Sequence, residues 1–271
     1  ELASMMVGRA VDLDVEKSPA KPGEATFKVT GLSAWNHAGT KVLDDINLEI
    51  HQGEILVIAG VQGNGQTELT EAIIGMHGKT HGSIELNGQQ LIGKNVKQVL
   101  DLGVGFVPED RTEDGLVAEF TIAENLMLDR SDRKPFAKGI SLQLEVLKKF
   151  AEEKLKQFDI RAQGITSKAS ELSGGNQQKV VLARELSREL SLFVASQPTR
   201  GLDVGSIEFV HEQIVATRDR GIPVLIVATE LDEATQLGDR IAVMYRGKIV
   251  GIVPSETPRS VLGQMMAGIS A

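Results

Sequence analysis

The sequence predicts an α/β fold with a buried core sheet, an antiparallel sheet at its edge and a set of inserted helices. Three observations carry that prediction. Continuous apolar runs at Ile55–Ala59, Val104–Val107, Leu192–Ala195 and Pro223–Val227 have the unbroken pattern of strands buried on both faces, and helical patterns separate them. Phe27–Leu32 and Val42–Ile50 instead alternate apolar and polar residues, as strands of an antiparallel edge sheet do. Between the second and third apolar runs, Leu147, Phe150, Ala151, Leu155 and Phe158 fall on one face of an amphipathic helix.

Composition narrows the classes. At 271 residues, 41% of them apolar, the chain is long enough for one large domain or two small ones. It has no cysteine, which excludes a disulfide framework and a thiolate metal site. A net charge of −8 argues against a dedicated nucleic-acid binder. No apolar run approaches the length of a bilayer span, so membrane association is expected to run through a partner. His37, His51, His77, His81 and His211 show no strong ligand pattern. His77 and His81 lie four apart, but Gly78 and Gly82 beside them read as a turn.

In chain order, the first clue is an echo. Ala3–Arg9 reads ASMMVGR, and Gly263–Gly268 reads GQMMAG. Methionine pairs are ordinary core filler. The second copy, however, closes the last predicted helix, and the first precedes every predicted element. Residues 1–24 are therefore expected to be the tail of an upstream copy of the same domain, followed by a charged, Pro- and Gly-containing linker at 10–24. The domain proper is expected over 25–268.

Trp35, the only tryptophan, lies between the two alternating strands, where a half-buried sheet aromatic is expected. The apolar run Ile55–Ala59 then leads into Gly60-Val-Gln-Gly-Asn-Gly-Gln66-Thr67, and a helical pattern follows to Gly75. Strand, glycine-rich loop and helix form the phosphate-binding pattern G-x4-G-K-[ST] with one departure, because Gln66 stands in place of lysine. The candidate nucleotide-binding residues here are Gly60, Gln62, Gly63, Asn64, Gly65, Gln66, Thr67 and Glu68. Backbone amides of Gly63 to Thr67 are expected to cradle phosphates, and the Thr67 hydroxyl to reach magnesium. The lost cation weakens the hold on the β- and γ-phosphates. A neutral hydrogen bond nets about 0.5–1.5 kcal/mol and one to a charged group about 1.5–3 kcal/mol, so binding is expected to suffer less than catalysis.

Ser83–Leu86 and Gln89–Ile92, joined by Asn87-Gly88, read as a hairpin with a primed turn. Thr121 and Glu124 form a capping box that starts a helix, and the polar residues 129–140 read as a loop. Leu172–Gln178 reads LSGGNQQ. Ser173 suits a helix N-cap, and Gly174 and Gly175 leave bare amides where the helix dipole favours an anion. Composition alone makes this a capped helix after a glycine-rich turn, running on to Arg188. A helix is expected over Val204–Arg220. Ile241–Tyr245 and Lys248–Val253, joined by Arg246-Gly247, read as a closing hairpin, and Pro258 suits the first turn of the last helix.

The phosphate loop and LSGGNQQ together resemble the ATPase domains of ABC transporters, in which LSGG is the signature motif. The resemblance covers residues 25–268, with motifs in the same order and on the same elements. It implies a P-loop NTPase fold of ABC type: a mixed parallel core sheet, an antiparallel β edge subdomain and an inserted α-helical subdomain at about 110–175. It implies ATP and Mg2+ as ligands, adenine stacked on Trp35, and Asp203 in the loop that reaches across a domain dimer. Ser173, Gly174, Gly175, Asn176 and Gln177 would act in trans on the γ-phosphate of an ATP held by the opposite domain. The implied partners are an upstream ATPase domain of the same polypeptide, membrane-spanning permease subunits docking near Arg111–Lys138, and a periplasmic or lipoprotein solute-binding protein. The implied location is the cytoplasmic face of the cell membrane.

Five positions depart from the family's pattern. Gln66 replaces lysine, Glu109 replaces glutamine, Ser196 replaces the magnesium-holding aspartate, Gln197 replaces the glutamate that polarises water, and Thr229 replaces histidine. Loss of a general base typically costs about 10²–10⁴-fold, so no intact catalytic set is expected in this domain alone. The segments GNGQTEL, VPEDR, DGL and QPTRGLDVG resemble the simple-sugar and nucleoside importers, the nucleoside branch more. Two other classes stand beside this one: a soluble ABC ATPase of the DNA-repair, chromosome-maintenance or translation type, and an active stand-alone ATPase using Gln66 and Gln197.

Overall fold

The computed structural model describes residue 15 and residues 17–269. The echo segment ASMMVGR therefore lies outside the described residues. In chain order the strands are β1 (Ala25–Trp35), β2 (Lys41–His51), β3 (Ile55–Ala59), β4 (Thr80–Leu86), β5 (Gln89–Gln90), β6 (Val104–Val107), β7 (Ala137–Lys138), β8 (Ser141–Leu142), β9 (Leu192–Ser196), β10 (Val224–Ala228), β11 (Arg240–Tyr245) and β12 (Lys248–Pro254). The α-helices are α1 (Gln66–Ile74), α2 (Val96–Asp101), α3 (Ile122–Met127), α4 (Leu144–Gln157), α5 (Gly174–Leu186), α6 (Val204–Asp219), α7 (Leu231–Leu237) and α8 (Arg259–Met266).

These elements form two compact units. Of the described residues, the larger gathers those up to Phe106, Leu190–Gln197 and those from His211 onward; the helical unit gathers Val107–Glu189 and Pro198–Val210.

The larger unit holds a core sheet of order β12-β11-β3-β10-β9-β6 and an antiparallel sheet of order β2-β1-β4-β5. In the core sheet β10 runs parallel to β3 and β9, β11 runs parallel to β3, and β12 returns antiparallel, so the sheet is mixed. Every residue of β3, β9 and β10 is buried, as their unbroken Ile, Val, Leu and Ala runs require. In β2 burial alternates, because one face covers the core and the other meets water. Asn87 and Gly88 both have positive φ, the backbone of the primed turn that joins β4 to β5. The end of the expected linker is held against this unit: Lys17 Nζ donates to the Leu237 and Gly238 carbonyls at 2.8 and 2.5 Å, and Gly23 N donates to Gln52 O at 2.9 Å.

In the helical unit, Thr121 caps α3 with the reciprocal Glu124 bond that the capping box requires. Phe136 packs edge-on against Phe150 of α4, with ring centroids 5.0 Å apart. Boundaries differ from expectation here and in the larger unit, the following among them. The expected loop 129–140 ends in a short β7–β8 ladder, α5 stops at Leu186 rather than Arg188, and Pro258 is the N-cap of α8 rather than part of its first turn.

Candidate functional site

The phosphate loop lies in the larger unit, between β3 and α1. Gly65 is the N-cap of α1 at φ 109°, a conformation glycine adopts without cost, and no side chain caps this helix. Helix N-terminal amides of this kind are anion-directed donors in general. The closing hairpin braces the loop from outside. Asn64 Oδ1 accepts from Arg246 N, and Asn64 O accepts from Gly247 N, both at 2.8 Å. Gly60 has no room for a Cβ, which would sit 2.6 Å from Gln66 Nε2 and 2.7 Å from Met244 O. Above Gly63, by contrast, nothing lies within 4 Å of a Cβ position.

Gln66 is the largest departure in the loop, and its side chain folds inward. It is 4% exposed; its Oε1 accepts the Asn64 N–H and its Nε2 donates to Val61 O, both at 3.1 Å. One amide of the expected cradle is thus bonded within the loop, and a phosphate that takes the Asn64 N–H displaces a carboxamide. Gln62 and Thr67 are exposed and Glu68 is half-buried on the first turn of α1.

Beside the loop, the ends of β9 and β10 place the other substituted residues. Ser196 is buried at the end of β9, and Gln197 follows with φ 44°, its N–H on Val227 O at 2.8 Å. A non-glycine residue in the left-handed region costs about 1–3 kcal/mol and persists where the surroundings impose it. Thr229 Oγ1 donates to Gln197 Oε1 at 3.4 Å, so the structure brings these two positions together. The side chains of Ser196, Gln197 and Thr229 offer two hydroxyls and a carboxamide but no carboxylate. Magnesium is a hard cation bound through one or two carboxylates and substrate phosphates, so the loop suits a nucleotide better than this corner suits the metal. Thr67 is the residue of the loop whose hydroxyl would hold it.

The signature stretch lies in the helical unit and is built differently. Ser173 is the N-cap of α5, and its Oγ accepts from Asn176 Nδ2 at 2.9 Å and from Asn176 N at 3.5 Å. Asn176 is itself fixed, because its Oδ1 accepts from Arg161 N at 2.8 Å. Gln177 Nε2 donates to Ala169 O, and Gln178 Nε2 to Pro198 O, which lock the first turn. Gly174 is seated on the Arg111 guanidinium: a Cβ there would lie 2.6 Å from an Arg111 terminal nitrogen. Arg111 also donates to Arg200 O at 3.0 Å. Gly175 leaves room for Ser206 and Asp203. Asp203 accepts from Ser206 Oγ and N at 2.7 and 3.0 Å, and the hydroxyl bond holds its carboxyl below the usual aspartate value. Glu109 accepts from Arg200 at 2.6 Å.

Sequence reading did not find the Arg111–Gly174 packing or the Asn64 brace from Arg246-Gly247. Both join residues far apart in the chain, and no spacing rule reports such pairs. Trp35 ends β1 half-buried, with Lys41 and Lys79 over its ring, neighbours the sequence left unremarked.

Comparison with known proteins places this geometry. The family described as ABC transporter matches residues 43–200. The chain is 43% identical over 270 residues to the guanosine import ATP-binding protein NupO of Bacillus subtilis, covering 99% of this chain and 53% of that protein. It is 42% identical over 269 residues to the nucleoside import ATP-binding protein NupA of Lactococcus lactis, covering 99% and 53%. To the glucose import ATP-binding protein TsgD13 of Haloferax volcanii it is 38% identical over 271 residues, covering 99% and 49%. The chain thus spans about half the length of the curated relatives it matches. A nucleotide-free ATP-binding cassette from an ABC transporter superposes with TM-score 0.75 at 22% identity, over 89% of this chain and 96% of that one, which shows a shared fold. The match over residues 43–200 takes in more than half of the sequence and includes both the phosphate loop and the LSGG turn; the chain belongs to the ABC transporter family.

Proposed function

We propose that this chain is an ATP-binding domain of an ABC importer, energising uptake of nucleosides or simple sugars through permease subunits at the cytoplasmic face of the membrane. In this reading a solute-binding protein delivers the solute to those subunits. The domain is the second, C-terminal one of a tandem subunit. It supplies Ser173–Gln177 to the catalytic site of the upstream domain, while its own phosphate loop binds nucleotide and hydrolyses it little or not at all.

One observation carries the reading: the two motif regions have opposite fates. Ser173 keeps its cap, its own O–H donates to no partner among the described residues, and Gly174 and Gly175 keep their bare amides. At the phosphate loop Gln66, Ser196, Gln197 and Thr229 leave no cation, carboxylate or imidazole. A domain whose chemistry is spent but whose anion turn is whole serves a partner's nucleotide. The echo of GQMMAG at residues 3–9, and relatives about twice as long as this chain, support the tandem arrangement. The higher identity to relatives named for guanosine and nucleoside import favours nucleosides; the relative named for glucose import keeps sugars as the second reading.

The test is turnover in the full tandem protein assembled with its permease. Ser173→Glu places a carboxylate where the γ-phosphate is to be bound, and turnover is expected to fall by about 10²-fold or more. An unchanged rate in that variant contradicts the composite site.

A further inference from the structure

Trp35 is held from both ends of the phosphate-loop helix. Its register partner on β2 is Lys41, and the next residue, Val42, places its carbonyl 3.0 Å from a Cβ position on Gly65, the N-cap of α1. On the other side its N–H donates to Lys79 O at 3.1 Å, and its carbonyl lies 3.1 Å from His77 Nε2. His77 is tied in turn to Glu71 of α1, with Nδ1 3.4 Å from the carboxylate. The strand pair that carries this indole therefore packs on the start of the phosphate-loop helix.

The ring carries two cations. Lys41 Nζ lies 5.5 Å and Lys79 Nζ 5.3 Å from its centroid, within range of an ammonium held by the ring's quadrupole. Lys41 and Lys248 share one acid, Asp44, at 2.6 and 2.9 Å. Lys41 and Lys248 thus face a single carboxylate, and Lys79 adds a third cation beside the indole, in a chain of net charge −8. The phosphate loop has Gln66 in place of its own cation.

Resting on the nucleotide reading above, we infer that Lys41 and Lys79 are the phosphate-binding cations of this site, replacing from outside the loop the charge that Gln66 lacks. A base stacking on Trp35 takes ring surface from the ammonium groups, and these turn toward the phosphates. The lysines bind the charged part of the ligand and Trp35 the flat part. Their contribution therefore grows with the number of phosphates.

The experiment uses this chain and the emission of Trp35, its sole tryptophan. AMP, ADP and ATP are titrated into the wild type, the Lys41→Gln/Lys79→Gln double variant and, as a control that leaves the ring alone, Lys248→Gln. Calorimetry gives the affinities independently. The double variant is expected to bind AMP about twofold and ADP about five- to tenfold more weakly, as two exposed charge pairs of about 0.2–1 kcal/mol each allow. Lys248→Gln is expected to stay within twofold. Iodide is expected to quench the wild-type tryptophan more strongly than caesium, and that bias to vanish in the double variant. All the altered lysines are exposed, so folding is not at stake. Wild-type binding with unchanged or tighter ADP affinity in the double variant overturns this inference alone. Absence of ADP binding by the wild type overturns the nucleotide reading and this inference with it.

Discussion

The phosphate loop and the LSGG turn both open a helix, yet their N-termini are finished in different ways. At the LSGG turn the protein itself holds the side chains of the first turn in place. Ser173, Asn176, Gln177 and Gln178 are each held by a hydrogen bond, and Gly174 and Gly175 are fixed by Arg111 and Ser206 packed against them. At the phosphate loop no side chain caps α1, and Gln66 turns inward to bond the loop itself. On the proposed function, both turns keep a backbone able to bind an anion, while the phosphate loop lacks the side chains that would split a phosphate bond. Backbone amides suffice to bind an anion, but splitting a phosphate bond needs placed charges as well.

That contrast can be broken most strongly at Gly175. A Cβ there runs into Ser206 and Asp203, so Gly175→Ala is expected to shift the start of α5 and lower turnover of the tandem protein by about 10²-fold, as loss of an aligned electrostatic donor does. ADP affinity of the chain's own phosphate loop, measured by calorimetry, is expected to stay within about twofold.

A smaller effect tests the other region. Gln66→Lys restores a cation to the loop and is expected to tighten ADP binding about fivefold, the gap between a neutral and a charged hydrogen bond. Hydrolysis is expected to stay at background in that variant, because Gln197 and Ser196 still supply no base or metal ligand. A phosphate-release assay checks both halves of the statement.

Arg111→Ala removes the donor to Arg200 O and the support beneath Gly174. The expected cost is about 1 kcal/mol of stability, read from the denaturant midpoint. The smallest effect is electrostatic. Asp203 titrates below its usual 3.8 because Ser206 donates to the ionised form. Its contribution to stability is complete above that value and is lost as pH falls through the lower folded-state value. In unfolding curves taken from pH 7 to 3, Asp203→Asn is expected to be flatter than the wild type at the acid end.

The sequence made the strands legible where side-chain pattern alone decides them. β3 and β6 match their apolar runs residue for residue, and the Thr121–Glu124 and Asn87-Gly88 signals are local, so a window of four residues contains the whole interaction. The phosphate loop and LSGG turn were legible for the same reason. What escaped is tertiary. Asn64 is braced by Arg246 and Gly247 from the far end of the chain, Gly174 is seated on Arg111, and Trp35 shares its ring with Lys79. The inward turn of Gln66 was also invisible, because a pattern records that lysine is missing but not that a carboxamide bonds the amide the lysine would have left open.

The most direct measurement is nucleotide binding and hydrolysis by this chain, alone and with the proposed upstream domain supplied. ADP and ATP binding without turnover is expected of the chain alone, and turnover once that domain is present with Ser173 intact. Steady hydrolysis by the pure chain, blocked by Gln197→Ala, would contradict this expectation and assign Gln66 and Gln197 catalytic roles of their own.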